Sequence, residues 1–175
     1  MTPLLAKAIS FAQQKHANQK RKSSGLPYIT HLAGVATLIT VFKKSKNLEA
    51  LVCAGYLHDT LEDTDTTEEE LLKEFGPLIC SLVVELTNKS DITRETKLSY
   101  LKRKMLDMSN YALTIKLCDR LHNLSDNPTL KTVEETEHLM GYLVNERTLT
   151  KTQTMIVNRI DTLLYGKEGL VHGKL

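Results

Sequence analysis

The sequence predicts an all-α fold, a single-domain bundle of roughly eight or nine helices. Apolar residues recur at helical spacing along the chain, and no long stretch alternates apolar with polar residues as a half-buried strand does. Aromatic residues, which are enriched in strands, make up only 5% of the chain. The length of 175 residues suits one domain, and 41% hydrophobic residues can supply its core.

The first three predicted helices lead to the most informative part of the chain. Thr2 and Pro3 are placed as the N-cap and first residue of the first helix. A basic loop over residues 20–25 precedes a second helix over about residues 29–42. Asn47 is a candidate cap for a third helix over about residues 48–58, which is apolar on most sides and therefore predicted to be buried. His58 and Asp59 then leave the core at the end of that helix.

Local signals also place the helices of the second half. Thr67 with Glu70 has the spacing of a capping box, and the pair Gly76-Pro77 predicts a break after that short helix. Further helices are predicted over about residues 78–86, 94–108, 111–125, 133–145 and 150–166, the last with a Thr150/Gln153 capping box. We expect residues 127–166 to form C-terminal helices and residues 167–175 to form a frayed tail.

Charge and cysteine content exclude several classes of function. The net charge of +2, from 23 basic and 21 acidic residues, is too balanced to predict nucleic-acid binding. No stretch reaches the roughly 18 apolar residues of a membrane span, and the start lacks a signal-peptide core, so we expect a cytoplasmic protein without a membrane partner. Cys53, Cys80 and Cys118 are odd in number and far apart, which predicts free buried thiols.

Two histidines and two aspartates on three predicted helices form a candidate metal site. His31 follows the start of the second helix, His58-Asp59 ends the third, and Asp119 lies in a later, largely apolar segment. Imidazole and carboxylate ligands suit a divalent transition metal, which can activate water near neutral pH, so the set points to a hydrolase. Taken alone, His31 could be structural, and Asp119 could form an ion pair with Lys116 or Arg120.

Glu62 and Asp63 are candidate catalytic acids beside that site. With Asp59 they stand at i, i+3 and i+4, which places all three on one face if the helix continues. They would orient water or transfer protons, whereas the alternative is a solvated helix end. The remaining histidines are assigned as structural or surface groups: His16, His122, His138 and His172.

The pattern His31, His58-Asp59, Asp119 resembles the H…HD…D signature of the HD phosphohydrolase superfamily. Flanking residues resemble more closely the hydrolase domain of the RelA/SpoT alarmone enzymes and their stand-alone relatives. The resemblance covers about residues 5 to 126, roughly 70% of the chain. It is carried by the stretches Phe11-Ala12, Lys15-His16, Gln19, Arg21-Lys22, Pro27 to His31, Leu57 to Thr64, Phe75-Gly76 and Lys116 to Leu124.

The resemblance implies an HD-domain helical bundle that hydrolyses guanosine tetra- or pentaphosphate (ppGpp or pppGpp), a guanine nucleotide, to GDP or GTP and pyrophosphate, usually with Mn²⁺. Carried over by position, it implies metal binding by His31, His58, Asp59 and Asp119 and catalysis by Glu62 and Asp63. It also implies that Arg21, Lys22, Lys97 and Asn123 contact the substrate. A homo-oligomer is left open.

Ser125-Asp126 departs from the family pattern, because many relatives carry Arg-Thr there, and an acid does not favour a phosphate-rich ligand. No confident match follows residue 126. Two rival functions therefore remain: a phosphatase of the same fold acting on a nucleoside monophosphate, a dNTP or NADPH, and a nucleotide-binding regulatory module with an idle site. The intact ligand set with Glu62 and Asp63 argues against the second rival.

Overall fold

The described residues of the computed structural model, 1–88, 93 and 96–166, form an all-α bundle, as the sequence predicts. Within these ranges there are nine helices and no strand, apart from one isolated bridge between Lys20 and Pro27. The helices are α1 (Pro3–Lys15), α2 (Ile29–Phe42), α3 (Leu48–Leu57), α4 (Thr60–Asp63), α5 (Glu68–Leu86), α6 (Lys97–Asp107), α7 (Asn110–Ser125), α8 (Leu130–Glu146) and α9 (Lys151–Tyr165).

The N-terminal half confirms one predicted cap and contradicts another. Thr2 Oγ1 accepts a hydrogen bond from the backbone N–H of Leu5, and Pro3 begins α1. Asn47 precedes α3 as predicted, but its side chain makes no capping hydrogen bond. Its amide instead donates to the Tyr111 hydroxyl at 3.4 Å, so a tertiary partner has replaced the local one.

The chain breaks helical geometry where the predicted site begins. α3 ends at Leu57, one residue before the predicted end, and the single-turn helix α4 starts at Thr60. His58 and Asp59 occupy the turn between them, so the third helix does not run on through Glu62 and Asp63. This turn lets His58 remain buried at the end of an apolar helix while Asp59 is only half-buried.

The predicted break at Gly76-Pro77 is present. Gly76 has φ 78° and ψ 173°, a conformation that favours glycine, and α5 kinks there. Thr67 Oγ1 caps α5 by accepting from the N–H of Glu70 at 3.1 Å. The Glu70 carboxylate pairs with Lys15 at 3.1 Å, so the second half of the predicted capping box is replaced by an ion pair.

The C-terminal helices begin at threonine caps. Thr129 caps α8, which therefore starts three residues earlier than predicted, and Thr150 with Gln153 forms the expected capping box of α9. The predicted start of α6 at residue 94 and the tail after Gly166 lie outside the described residues. The C-terminal helices are fastened to α7: Gln153 Nε2 donates to the carbonyl of Asn110 at 3.1 Å.

A single hydrophobic cluster holds the helices together. α2, α3 and α7 pack against one another at its centre, and α1, α5 and α9 cover them. Cys53, Cys80 and Cys118 are buried and free, as predicted. Among the described helices, none combines the length and apolar character needed to cross a bilayer.

Candidate metal centre

Three segments bring two imidazoles and two carboxylates together. His31 comes from α2, His58 and Asp59 come from the turn between α3 and α4, and Asp119 comes from α7. The Nε2 atom of His31 lies 3.3 Å from Asp119 Oδ1 and 3.8 Å from Asp59 Oδ2. The Nε2 atom of His58 lies 3.0 Å from Asp59 Oδ2 and 3.8 Å from Asp119 Oδ1. The structure thus assembles the four residues predicted as metal ligands; the ligand role itself stays a prediction.

The donor atoms fit a divalent cation. One donor atom each from His31, His58 and Asp119 lies within 4.8 Å of the other two, and all three residues are buried. His58 Nδ1 bonds to the carbonyl of Gly55 at 2.8 Å, which assigns the ring proton to Nδ1. His58 Nε2 is buried and faces the carboxylates, 3.0 Å from Asp59 Oδ2, but it has no partner in hydrogen-bond geometry. It would offer its lone pair to a metal that replaces the proton on this nitrogen. Such an orphaned imidazole nitrogen beside two carboxylates is the donor set that a transition metal uses.

The shifted pKa values of His58, Asp59 and Asp119 show that the cluster favours positive charge. Burial lowers the pKa of His58, but Asp59 and Asp119 outweigh that effect and raise it to about 10. Burial raises the pKa of Asp59, and His58 more than reverses this, so the net shift is downward. The pKa of Asp119 is also lowered against burial, first by Lys116 and then by the two histidines. Two ionised carboxylates close together are stable only with cationic partners, and a divalent metal supplies that charge in place of the proton on His58.

Asp119 forms the ion pair that the sequence left open, and its orientation is also compatible with the predicted role as a metal ligand. Lys116 Nζ lies 2.9 Å from Asp119 Oδ2, so the structural ion pair exists. The other oxygen, Oδ1, accepts from Asn123 Nδ2 at 2.7 Å and faces the two histidines. Arg120 is not the partner, since its guanidinium points to Glu135 at 3.8 Å. Lys116 therefore orients the carboxylate and leaves Oδ1 towards the candidate metal position.

His122 is a site residue that sequence analysis missed. Its Nδ1 lies 3.0 Å from His31 Nδ1, and the two rings meet edge to face. Burial, then His31 and Arg21, lower the pKa of His122 to about 4, so it is neutral near pH 7 and has a ring nitrogen able to accept from His31 Nδ1. This hydrogen bond turns His31 Nε2 towards the carboxylates. The available signal was its position three residues after Asp119, on the same face of α7.

Tyr28 is a second missed residue. Its hydroxyl donates to Asp59 Oδ2 at 2.6 Å, and burial followed by the charge of Asp59 raises the tyrosine pKa far above its usual value. The Tyr28 ring stacks on buried His16, whose Nδ1 contacts Gln19 at 2.5 Å. The His16 ring therefore holds the Tyr28 ring in place by stacking, and the Tyr28 hydroxyl orients the Asp59 carboxylate.

We expect Tyr28→Phe to weaken binding of Mn²⁺ by about 10- to 100-fold, the usual cost of removing a residue that orients a metal ligand. Phenylalanine keeps the ring against His16 and removes only the donor to Asp59. Isothermal titration calorimetry measures the change. Tyr111→Phe is the matched control, because that hydroxyl contacts Ser45 and Asn47 instead. Equal affinities of the two variants would contradict the role of Tyr28.

The predicted catalytic acids lie one turn beyond Asp59, and both are exposed. Glu62 accepts from the backbone and side-chain amides of Asn88, each at 3.0 Å. Asp63 accepts from Gln19 Nε2 at 2.8 Å. Among the described residues, these amides are the hydrogen-bond partners of the two carboxylates. The backbone N–H groups of Glu62 and Asp63 donate to the carbonyl of Asp59 at 3.2 and 2.9 Å. Each carboxylate is therefore held in place while staying open to solvent.

Lys104 supports Glu62 indirectly, and nothing in the sequence pattern marked it. Its ammonium group donates to the carbonyls of Leu86 and Thr87 and to Asn88 Oδ1 at 3.2 Å. Burial and then the nearby charge of Lys116 lower the Lys104 pKa to about 8. Lys104 thus fixes the segment that presents Asn88 to Glu62.

Two of the four predicted substrate-binding residues are joined to the cluster. Arg21 Nη2 donates to Asn123 Oδ1 at 2.8 Å, and Asn123 in turn contacts Asp119. Lys22 and Lys97 are exposed, and within the described ranges no contact links either to the cluster. Substrate binding by all four stays a prediction.

The described helices enclose a buried cluster of histidines and an aspartate that could hold a metal ion. This combination is typical of all-α metal-dependent hydrolases. A family model described as HD domain matches residues 8–139, so the chain belongs to the HD-domain family. The resemblance seen in the sequence is thereby confirmed.

Individual proteins of known name and structure are also similar to this chain. The chain is 36% identical over 126 residues to a guanosine-3′,5′-bis(diphosphate) 3′-pyrophosphohydrolase of Danio rerio, covering 71% of this chain and 69% of that protein. It is 36% identical over 154 residues to a probable enzyme of the same name from Synechocystis, of which it spans only 20%. A solved structure of a metazoan SpoT orthologue, described as hydrolysing ppGpp, superposes with a TM-score of 0.82 at 26% identity over 97% of this chain and 98% of that chain.

Proposed function

We propose that this protein hydrolyses the 3′-pyrophosphate of ppGpp or pppGpp, releasing GDP or GTP and pyrophosphate, with a bound divalent metal. One observation carries the proposal: His31, His58, Asp59 and Asp119 converge in a chain similar to proteins named for this reaction. The carboxylates and imidazoles would hold the metal, which supplies Lewis-acid stabilisation of the negative charge on the phosphoryl group.

Glu62 and Asp63 are the proposed acid-base groups. Both carboxylates are exposed and both accept hydrogen bonds from amides, so each is held in a fixed orientation and is open to water. Asp63 is held by Gln19 and Glu62 by Asn88, so the two carboxylates are oriented independently of each other. We assign to this pair the orientation of water and the protonation of the leaving oxygen, without dividing the two tasks between them.

Arg21, Lys22, Lys97 and Asn123 are the proposed substrate contacts. The pyrophosphate group that is transferred to water, with the ribose 3′-oxygen leaving, concentrates negative charge, so cations around it would stabilise the transition state. Arg21 is the best supported of the four. Its guanidinium contacts Asn123, and Asn123 in turn contacts Asp119. Lys22 and Lys97 are exposed and free to approach a phosphate from solvent.

We propose Mn²⁺ as the metal. Mixed imidazole and carboxylate ligands suit a first-row transition metal better than Ca²⁺ or Mg²⁺, which prefer oxygen-rich sites, and no cysteine sulfur belongs to the cluster. We further propose that the chain is one domain, which is supported by the one hydrophobic cluster that its described residues form. We also propose that it works in the cytoplasm.

Product analysis tests the proposed function. We expect purified protein with Mn²⁺ to convert ppGpp to GDP and pyrophosphate, and EDTA-treated protein to be inactive until Mn²⁺ is restored. Nucleoside monophosphates, dNTPs and NADPH belong in the same panel, because they are the substrates of the rival phosphatase. Orthophosphate release from one of these, without turnover of ppGpp, would replace the proposal with the rival phosphatase.

A further inference from the structure

The basic loop over residues 20–25 is fastened to the end of α7. Arg21 Nε donates to Asp126 Oδ2 at 3.0 Å, and the Ser23 hydroxyl donates to the same oxygen at 3.2 Å. Asn127 Nδ2 adds a hydrogen bond to the carbonyl of Ser23 at 3.3 Å. The loop closes on itself as well, because the N–H of Arg21 donates to the carbonyl of Leu26 at 2.8 Å. This loop is therefore not the freely bending segment that its serine and glycine content suggests.

Arg21 stands between a carboxylate and the candidate metal centre. Its Nε contacts Asp126, and its Nη2 contacts Asn123, which donates to Asp119. The side chains of Arg21 and Asp126 are 11% and 24% exposed, so water screens their attraction only in part. The carboxylate therefore offsets part of the charge that Arg21 would present to an anion.

We propose that Asp126 is a specificity-determining residue that weakens the grip of Arg21 on phosphate and so lowers the affinity of the site for the most highly phosphorylated nucleotides. The inference rests on the proposed function for its substrate. The charge argument is general: removing one of two opposite charges leaves the other to act on a ligand anion. The effect grows with ligand charge, so it is larger for pppGpp than for ppGpp.

Asp126→Asn separates charge from position. Asparagine retains an oxygen that can accept from Arg21 and Ser23, but it carries no charge. We expect KM for ppGpp to fall about three- to tenfold, KM for pppGpp to fall further, and kcat to stay within about twofold. Raising the salt concentration should shrink the difference only in part, because salt screens charges on largely buried side chains less than charges on exposed ones. A KM that is unchanged or higher overturns the proposal.

A binding measurement makes the result independent of turnover. GDP titrated calorimetrically into Mn²⁺-loaded protein should bind more tightly to Asp126→Asn than to the parent chain, whereas uncharged guanosine should bind equally to both. An equal gain for guanosine would show that Asp126 acts on loop order instead, and would overturn the charge argument. If the parent chain does not hydrolyse ppGpp but the GDP difference appears, the proposed function fails while this inference stands.

Two further variants test whether the effect comes from the charge of Asp126. Asp126→Thr, which places the residue of many relatives at this position, removes the charge by a different side chain and should reproduce the tighter binding of GDP. Glu74→Gln is the matched control, since Glu74 forms an ion pair with Lys7 at 2.7 Å between α1 and α5, outside the loop and the metal centre. Thermal melts show whether each variant is folded. A GDP affinity that rises equally in Glu74→Gln would contradict a role specific to Asp126.

Discussion

Asp59→Asn is expected to lower kcat for ppGpp by about 10³-fold or more, the scale seen when a group that stabilises transition-state charge is removed. The amide is the same size and can still accept from the Tyr28 hydroxyl, so the turn between α3 and α4 should keep its geometry. It removes one of two carboxylates that face His58 and His31. Affinity for Mn²⁺ should fall with activity, because a neutral amide oxygen is a weaker ligand.

Activity with ppGpp and calorimetric titration with Mn²⁺ measure the two effects of this substitution. Asp65→Asn is its control: that aspartate lies six residues further along the chain, is 88% exposed and pairs with Lys15. The control should keep both activity and metal affinity. Full activity in Asp59→Asn would end the assignment of the cluster as the catalytic centre.

Gly34→Ala is expected to destabilise the protein by about 1–3 kcal/mol, the usual cost of overpacking, and to weaken metal binding at the same time. A Cβ atom at Gly34 would lie 2.0 Å from His122 Nε2 and 2.1 Å from His122 Cδ2, so the imidazole must rotate away. Rotation breaks the hydrogen bond between His122 and His31. His31 then loses the partner that turns its Nε2 towards Asp119.

Gly141→Ala provides a control of opposite sign. Gly141 also lies within a helix, but a Cβ atom there meets nothing within 4 Å. Alanine should therefore stabilise the protein by about 0.5–1 kcal/mol through helix propensity and leave metal affinity unchanged. Urea denaturation of both variants measures the stabilities. Stabilisation by Gly34→Ala with intact metal binding would contradict the packing described for His122.

The sequence predicted features that depend on neighbours along the chain. Thr2 and Thr150 were recognised as helix caps because their partners lie three residues away. The candidate metal ligands were recognised because their residue types suit a cation and because the sequence motifs around them resemble those of a known family. The all-α class followed from periodicity, which the hydrophobic core enforces throughout.

Contacts between distant segments were beyond prediction where no motif linked the residues. The hydrogen bond of His122 with His31 joins residues 91 positions apart, and that of Arg21 with Asp126 spans 105 positions. Spacing carries no information about such pairs until the helices are packed. The same limit explains Asn47, whose expected capping bond gave way to Tyr111, a residue 64 positions away.

The last helix sets a boundary for any minimal fragment of this chain. The family match stops at residue 139, yet α9 packs along α7, the helix that carries Lys116, Asp119, His122 and Asn123. Ile156, Val157 and Ile160 of α9 are buried in the common core. A fragment that ends with the matched residues would lack α9 and would expose to water the face of α7 that α9 covers. Expression designs should therefore extend at least to Tyr165, even though no family signature marks that stretch.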